Sequence, residues 1–141
     1  YTCGPAALRS WFLTQGIDLS EKELSFLLNT TEDGTKLSAI RNLLTKFGFA
    51  NFSRQDTSLG SIKQALAHGI GVLVLIQSEG EAHWSLVVSV DEKNVTLMDP
   101  WVADQYRRIS RSRFYKIWFG DLKEGEQKTT VRRVVLWMGP R

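Results

Sequence analysis

The sequence contains little cysteine and little histidine, with one Cys and two His among its 141 residues. A single thiol excludes a disulfide within the chain, and it excludes any zinc or iron–sulfur site built from several cysteines. No ligand spacing typical of a metal site is present, so the sequence predicts neither a metal nor an organic cofactor. A thiol that stays reduced favours a cytoplasmic or cytoplasm-facing location.

Long hydrophobic runs are also missing. The longest apolar stretches, "IGVLVLI" and "SLVVSV", are far shorter than the roughly 20 residues that cross a bilayer as a helix. We therefore expect no membrane insertion by this chain. The sequence opens without Met or a leader, and we expect Tyr1 to be the edge of a processed or excised domain.

The charge is nearly balanced, with 18 Lys and Arg against 15 Asp and Glu. A nucleic-acid-binding protein would need aromatic platforms or a known reading motif beside its basic residues, and neither is found. We expect the late basic residues to face solvent or an acidic partner. They are Arg107, Arg108, Arg111, Arg113, Arg132 and Arg133.

The order of helix and strand patterns predicts a single α+β domain over residues 1–141, with helices first and mostly strands afterwards. A Pro in the first turn and a Gly just past the end predict a helix over 5–14. Ser20 and Glu23 form a capping box before a short second helix. Apolar residues at helical spacing predict a third helix over 36–48, and we expect a fourth over 58–69.

The second half of the chain shows strand patterns. A continuous apolar run over 71–77 predicts a strand buried on both faces. Two β-branched runs, 83–90 and 95–99, flank the polar turn "DEKN" and predict a hairpin that Pro100 ends. A short helix near 112–118 and a last strand over 129–138 complete the expected sheet.

The lone cysteine, Cys3, stands at the predicted N-terminus of the first helix. Unpaired backbone N–H groups and the helix dipole favour an anion there, which lowers the pKa of a thiol and makes a nucleophilic thiolate available. The alternative is a buried cysteine that fills a gap at the helix end.

A reactive thiol needs a base, and the sequence offers two histidines. His68 falls in the last turn of the fourth predicted helix, where an imidazole commonly ends a helix. His83 is predicted to be the first residue of a strand, directly after a loop, where its ring faces a cleft. The alternative for His83 is a half-exposed residue without a catalytic role.

Asp99 is the candidate for a third group that orients the imidazole. A hairpin with a two-residue turn would place Asp99 opposite Leu86, and so on the other face of the sheet from His83. A triad therefore requires a longer turn, a bulge, or an Asp99 that has left the ladder. Otherwise the Asp is a turn residue before Pro100.

Attack on a carbonyl also needs donors for the oxyanion. Backbone N–H groups at the start of the first helix supply one part. No side-chain amide is singled out by the sequence, because all four candidates have ordinary helix or strand positions: Gln15, Gln55, Gln64 and Gln77.

Three stretches together resemble the bacteriocin-processing, double-glycine cysteine peptidase family of the papain-like clan. They are "TCGPAAL", "GTKLSAIRNLLTKFGF" and "AHWSLVVSVDEKNVTLMDP". The resemblance implies a papain-like α+β fold with a nucleophile heading a helix on an antiparallel sheet. It also implies Cys3 as nucleophile, His83 as general base and acid, and Asp99 as the orienting residue.

Two positions depart from the family pattern. Thr2 stands where transporter-linked members usually carry Asp, which indicates a stand-alone or differently fused relative. The family's oxyanion glutamine lies a few residues before the cysteine, where this sequence has only Tyr1 and Thr2.

The function expected from residues and resemblance is hydrolysis of a peptide bond, with a peptide or protein as substrate and a Gly-Gly-type leader as the implied cleavage site. Trp84 and Trp101 are candidates for the walls of a narrow cleft, or else core aromatics. Two alternatives stay open. One is a papain-like acyltransferase or deamidase, and the other is a catalytically weak peptide-binding domain of the same fold.

Overall fold

Helices and an antiparallel sheet make up the fold, as the sequence predicted. The computed structural model describes residues 3–98, 105–124 and 126–141. The helices in these ranges are α1 (Cys3–Thr14), α2 (Glu21–Leu27), α3 (Leu37–Lys46), α4 (Leu59–Ala67) and α5 (Arg111–Ile117). Within the described ranges, no helix is both long and apolar enough to cross a membrane.

The main sheet has six antiparallel strands in the order β1-β8-β2-β3-β4-β5, and β6 and β7 form a separate two-stranded hairpin. The central strands β2 and β3 therefore lie far from both sheet edges. The bounds are β1 (Asn51–Arg54), β2 (Gly71–Ser78), β3 (Glu81–Val90), β4 (Asn94–Met98), β5 (Tyr106–Ser110), β6 (Phe119–Glu124), β7 (Gln127–Arg132) and β8 (Val135–Met138).

The predicted helix ends are confirmed by the capping contacts. The Ser20 side chain accepts a hydrogen bond from the Glu23 N–H, and the Glu23 carboxylate accepts one from the Ser20 N–H, which satisfies two N–H groups that the helix leaves unpaired. Gly16 and Gly48 follow α1 and α3 with φ of 79° and 88°, a backbone conformation that glycine adopts without steric cost.

Strand β2 is buried on both faces, as its continuous apolar run predicted. Leu73 and Leu75 pack with α1, α2 and α3 in one cluster. Val72, Val74 and Ile76 belong to a second cluster that includes α4 and α5 side chains. The sheet therefore separates two cores, and the first of them includes the start of α1.

The second half of the chain differs from the prediction in its short strands. The last strand, predicted as one piece over 129–138, is divided into β7 and β8, because Arg133 adopts a left-handed φ of 51° that breaks the extended backbone. Strands β1, β5 and β6 were not predicted, since short strands with charged residues carry a weak alternation signal.

Strands β2 and β3 are joined by a two-residue turn at Glu79 and Gly80, with φ of 55° and 81°. Positive φ at both positions matches the right-handed twist of the flanking strands. Strand β3 therefore begins at Glu81, and His83 is its third residue. The sequence predicted His83 to be the first residue of this strand, so the prediction was wrong by two positions.

The β3–β4 hairpin pairs Val90 with Val95, as expected for a two-residue turn, but its register shifts between Val87 and Ser89. Val87 pairs with Leu97, so one extra β3 residue is accommodated as a bulge. The ladder beyond the bulge is thereby displaced by one residue relative to the uninterrupted hairpin.

Candidate active site

Cys3 lies in the first turn of α1, at the position that the sequence predicted for a nucleophile. Pro5 in the same turn has no N–H, and the first N–H groups of a helix lack intrahelical partners anyway, so the helix starts here without losing a bond. The Cys3 Sγ accepts a hydrogen bond from the backbone N–H of Trp84, with an N···S distance of 3.3 Å. The thiol therefore contacts β3 directly.

This hydrogen bond also places the thiol beside His83. The donor is the amide that links His83 to Trp84, so the distance from Sγ to His83 Cα is within about 6 Å by standard backbone dimensions. An imidazole on that Cα has the reach to contact the sulfur. The structure brings Cys3 and His83 together, although they stand far apart in the sequence.

Burial raises the pKa of the Cys3 thiol above its ordinary value of 9.0, and the hydrogen bond from Trp84 acts in the opposite direction. The sequence predicted a lowered pKa from the helix N-terminus alone. That prediction was wrong in direction, because desolvation of the thiolate outweighs the helix N–H groups and the amide. At neutral pH a thiol in this environment depends on a base to take its proton.

His83 is 4% exposed and pairs with Ile76 of the neighbouring strand β2. Both Cys3 and His83 line one cleft of about 1270 Å³. The backbone of His83 is therefore held by the ladder with β2, whereas the pairing of β3 with β4 begins only at Val87. The alternative of a half-exposed histidine is therefore not what the structure shows.

Asp99 and Trp101 lie outside the described residues, so their predicted roles stay predictions. The last described residue of β4 is Met98, whose carbonyl accepts a hydrogen bond from the Ser85 hydroxyl at 3.2 Å. This bond joins the end of β4 to the part of β3 that follows His83.

Two segments that are distant in the sequence form the walls of the cleft. One wall is the loop between α2 and α3, and the other includes β6 and β7 side chains. An ion pair crosses between them, with 3.7 Å from Lys123 Nζ to Asp33 Oδ2. The remaining charged side chains of the lining are mixed in sign: Glu32, Lys36, Lys46, Glu81, Asp121 and Lys128.

The loop between α2 and α3 packs through Thr35 against the first turn of α1, which carries Cys3 and Gly4 and is called the cysteine turn below. A Cβ placed on Gly4 would lie 2.8 Å from Thr35 Oγ1 and 2.9 Å from Thr35 Cβ, a separation that real Cβ atoms avoid. The carbonyl of Thr35 also accepts a hydrogen bond from Trp84 Nε1 at 3.1 Å. Sequence reasoning missed Thr35, and the Gly after Cys3 was the only signal for a close approach.

The remaining residues that the sequence singled out, His68, the glutamines and Trp84, do not all lie at the cleft. His68 caps α4, with its Nδ1 2.8 Å from the Gln64 carbonyl oxygen, as predicted for a helix-ending histidine. Of the four glutamines considered as oxyanion donors, Gln77 lines the cleft, whereas Gln15 donates to the Thr14 hydroxyl. Trp84 is 3% exposed and is both a core residue and part of the cleft lining.

Residues 1–123 match the Peptidase C39 family. The chain belongs to the Peptidase C39 family. A relative from Methanothermobacter marburgensis, described only as an uncharacterized protein, is 33% identical over 122 residues, or 86% of this chain and 80% of the relative. A second uncharacterized relative, from Methanothermobacter thermautotrophicus, is 28% identical over the same share of each chain.

Solved structures show the same C39 fold. The peptidase domain of Streptococcus ComA, a bifunctional ABC transporter involved in quorum sensing, superposes with a TM-score of 0.72 over 99% of this chain and 92% of that domain, at 20% identity. A double-glycine motif protease from an AMS/PCAT transporter, solved with its leader peptide, gives 0.70 over 98% and 84%, at 11% identity. The predicted papain-like α+β fold is confirmed.

Proposed function

We propose that this protein is a cysteine peptidase in which Cys3 is the nucleophile, His83 the general base and acid, and Asp99 the residue that orients the imidazole. The observation that supports it best is the hydrogen bond from the Trp84 amide to Cys3 Sγ, at 3.3 Å. The donor amide of this bond links His83 to Trp84, and Cys3 and His83 both line the same cleft. Membership of the Peptidase C39 family supports the same proposal.

The proposed reaction has two steps. His83 takes the Cys3 proton, and the thiolate attacks the scissile carbonyl carbon to form a tetrahedral intermediate. The C–N bond then breaks, the amine leaves with the proton from His83, and an acyl thioester remains on Cys3. Water attacks the thioester with His83 as base, which releases the acid and returns the proton to the thiol.

The first turn of α1 is suited to hold the oxyanion. The N–H groups of Cys3 and Gly4 are among the helix N–H groups without an intrahelical partner, and both act to lower the pKa of the thiol. In the tetrahedral intermediate, the sulfur and the oxyanion are bonded to the same carbon atom. N–H groups that stabilise the thiolate are therefore suited to stabilise the oxyanion as well.

The bulge between Val87 and Ser89 supports Asp99 as the third residue. In an uninterrupted hairpin, Asp99 would face the other side of the sheet from His83. One extra residue in β3 reverses the alternation beyond the bulge. A bulge is one of the features that the triad hypothesis required of this hairpin, so its presence supports the proposed role of Asp99.

For the substrate, we propose a peptide bond that follows two small residues such as Gly-Gly. The double-glycine motif protease among the structural neighbours supports this choice. Trp84 and Thr35 line the cleft together with Cys3, and we propose that they form the part of the cleft that selects small side chains next to the thiol.

The first test is the pH dependence of Cys3 alkylation by iodoacetamide in wild type, His83→Ala and His68→Ala. We expect wild type to react well below neutral pH, because His83 takes the proton from the thiol. His83→Ala should react only above about pH 9, since burial raises the thiol pKa above 9.0. His68→Ala is the matched control and should behave as wild type.

The second test is cleavage of synthetic peptides with an internal Gly-Gly pair, followed by mass spectrometry. Cys3→Ala should lower the rate by at least about a thousandfold. Two product peptides that together gain one water indicate hydrolysis. A peptide joined to an added amine, or a deamidated side chain without cleavage, would replace the peptidase proposal by acyl transfer or deamidation. Identical alkylation profiles in wild type and His83→Ala, with no product, would leave a peptide-binding domain.

A further inference from the structure

The cysteine turn is enclosed by a closed circuit of contacts that the peptidase chemistry does not itself require. Cys3 Sγ accepts from the Trp84 amide at 3.3 Å, and the Trp84 indole N–H donates to the Thr35 carbonyl at 3.1 Å. The Thr35 side chain lies against Gly4, which is bonded to Cys3. The three non-covalent contacts join three different segments of the chain.

Two of the three segments in this circuit, those of Trp84 and Thr35, are also held by contacts outside it. The backbone of Trp84 is paired with Leu75 of β2, so the amide that reaches the sulfur has a fixed position. The Thr35 hydroxyl lies 2.8 Å from the Thr30 hydroxyl, and the Thr30 N–H donates to the Ser25 carbonyl of α2. The loop that carries Thr35 is thereby tied to both a helix and a strand.

We propose that Trp84 and Thr35 are positioning residues for the Cys3 thiol. The indole holds the α2–α3 loop against the sheet, the loop holds Gly4, and Gly4 fixes the helix turn that carries the sulfur opposite the Trp84 amide. Neither side chain bonds to a reacting atom, so both act through the placement of Cys3. The inference rests on the proposed role of Cys3 as nucleophile.

The circuit also explains why a glycine follows the cysteine. Any side chain at position 4 would overlap Thr35, at 2.8 Å from its Oγ1. The thiol turn and the loop can approach this closely only because Gly4 has no Cβ.

A second tryptophan supplies a matched control. Trp118 is 1% exposed, and its Nε1 donates to the Val134 carbonyl at 3.0 Å. Trp84 and Trp118 are therefore both buried, and the indole N–H of each donates to a backbone carbonyl. Trp118 packs with α4 and α5 side chains in the second cluster, whereas Trp84 belongs to the first, with Cys3 packed against it.

The experiment compares Trp84→Phe with Trp118→Phe. Both substitutions remove an indole N–H and leave an aromatic ring. The readouts are urea unfolding and the pH profile of Cys3 alkylation. We expect comparable losses of stability, but only Trp84→Phe should lower the alkylation rate at pH 7, by about twofold to tenfold, and move the profile to higher pH. That range corresponds to the usual net free-energy contribution of one hydrogen bond.

Equal alkylation profiles for wild type and Trp84→Phe would overturn the proposal. It would also be overturned if Trp118→Phe shifted the profile as much as Trp84→Phe, because the effect would then follow stability and not position. If Trp84→Phe does not fold, Thr35→Gly tests the same circuit from the loop and should shift the profile in the same direction, and an unchanged profile would again contradict the proposal. Alkylation needs no peptide substrate, so this result is separate from the presence or absence of peptidase activity.

Discussion

Both faces of the central sheet are covered by helices, but they are closed in different ways. On one face, α4 and α5 cover valine and isoleucine side chains of β2, and Trp118 bonds to a carbonyl within a closed core. On the other face, α1 and the α2–α3 loop leave a cleft at Cys3, and Trp84 makes the same type of bond at its edge. Under our proposal, one kind of contact contributes stability on the face that carries Trp118, the closed face, and positions the thiol on the face that carries Trp84, the open face.

The largest effect is expected on the closed face. Phe114 is fully buried and packs on Trp118 with 4.9 Å between ring centroids. Phe114→Ala should lower the free energy of unfolding by about 3–5 kcal/mol, because it leaves a cavity among aromatic side chains. Urea unfolding measures the loss. Cys3 alkylation in the folded fraction should be unchanged, and a changed profile would show that the two faces are coupled.

Gly4→Ala is the corresponding change on the open face. The new Cβ would overlap Thr35, and overpacking of this kind typically costs about 1–3 kcal/mol. Unlike Phe114→Ala, it should also alter Cys3 alkylation. The same substitution in a Thr35→Gly background should be better tolerated, since the overlapping atoms are gone. Additive losses in the double variant would argue against the contact.

A smaller effect is expected at the turn that joins β3 to β4, where the Asp91 carboxylate accepts from the Lys93 and Asn94 N–H groups at 2.8 Å and 2.7 Å. These bonds lower the pKa of Asp91 below 3.8. A depressed carboxyl pKa contributes stability that is present above pH 4 and lost as the pH falls through the folded value. The stability difference between wild type and Asp91→Asn should therefore close in acid, as followed by thermal unfolding at several pH values.

The smallest effect is expected for the ion pair across the cleft. The side chains of Lys123 and Asp33 are 44% and 76% exposed, so solvent and salt screen their attraction. Lys123→Ala should change the free energy of unfolding by less than about 0.5 kcal/mol. A larger, salt-sensitive loss would mean that the β6–β7 hairpin is held over the open face by this pair.

Much of the site was accessible from sequence because its signals are local. Pro5 and Gly16 mark the ends of the helix that carries Cys3, and the strand pattern after Gly80 places His83 in β3. Each of these predictions uses residues within a few positions of one another. The short edge strands were missed because charged residues in "YRRIS" hide the apolar alternation.

The rest depends on contacts between distant segments. Trp84 and Thr35 are 49 positions apart, and no periodic pattern indicates that an indole reaches a particular carbonyl. Burial of the Cys3 thiol is likewise a property of the assembled core, so its raised pKa could not be predicted from a helix terminus. The bulge between Val87 and Ser89 was one of three features that the triad hypothesis required of this hairpin, and the sequence did not say which of them occurs.

The bond between Trp84 and Cys3 spans 81 positions of the chain, and this separation has a consequence for folding. We expect a loop of that length to close after the β2–β3 hairpin has formed and together with the core against α1, because those contacts offset its entropic cost. A chain that is still incomplete at β3 carries an ordinary, unplaced cysteine. If Cys3 is the nucleophile that we propose, its thiol is placed only in chains that have already folded.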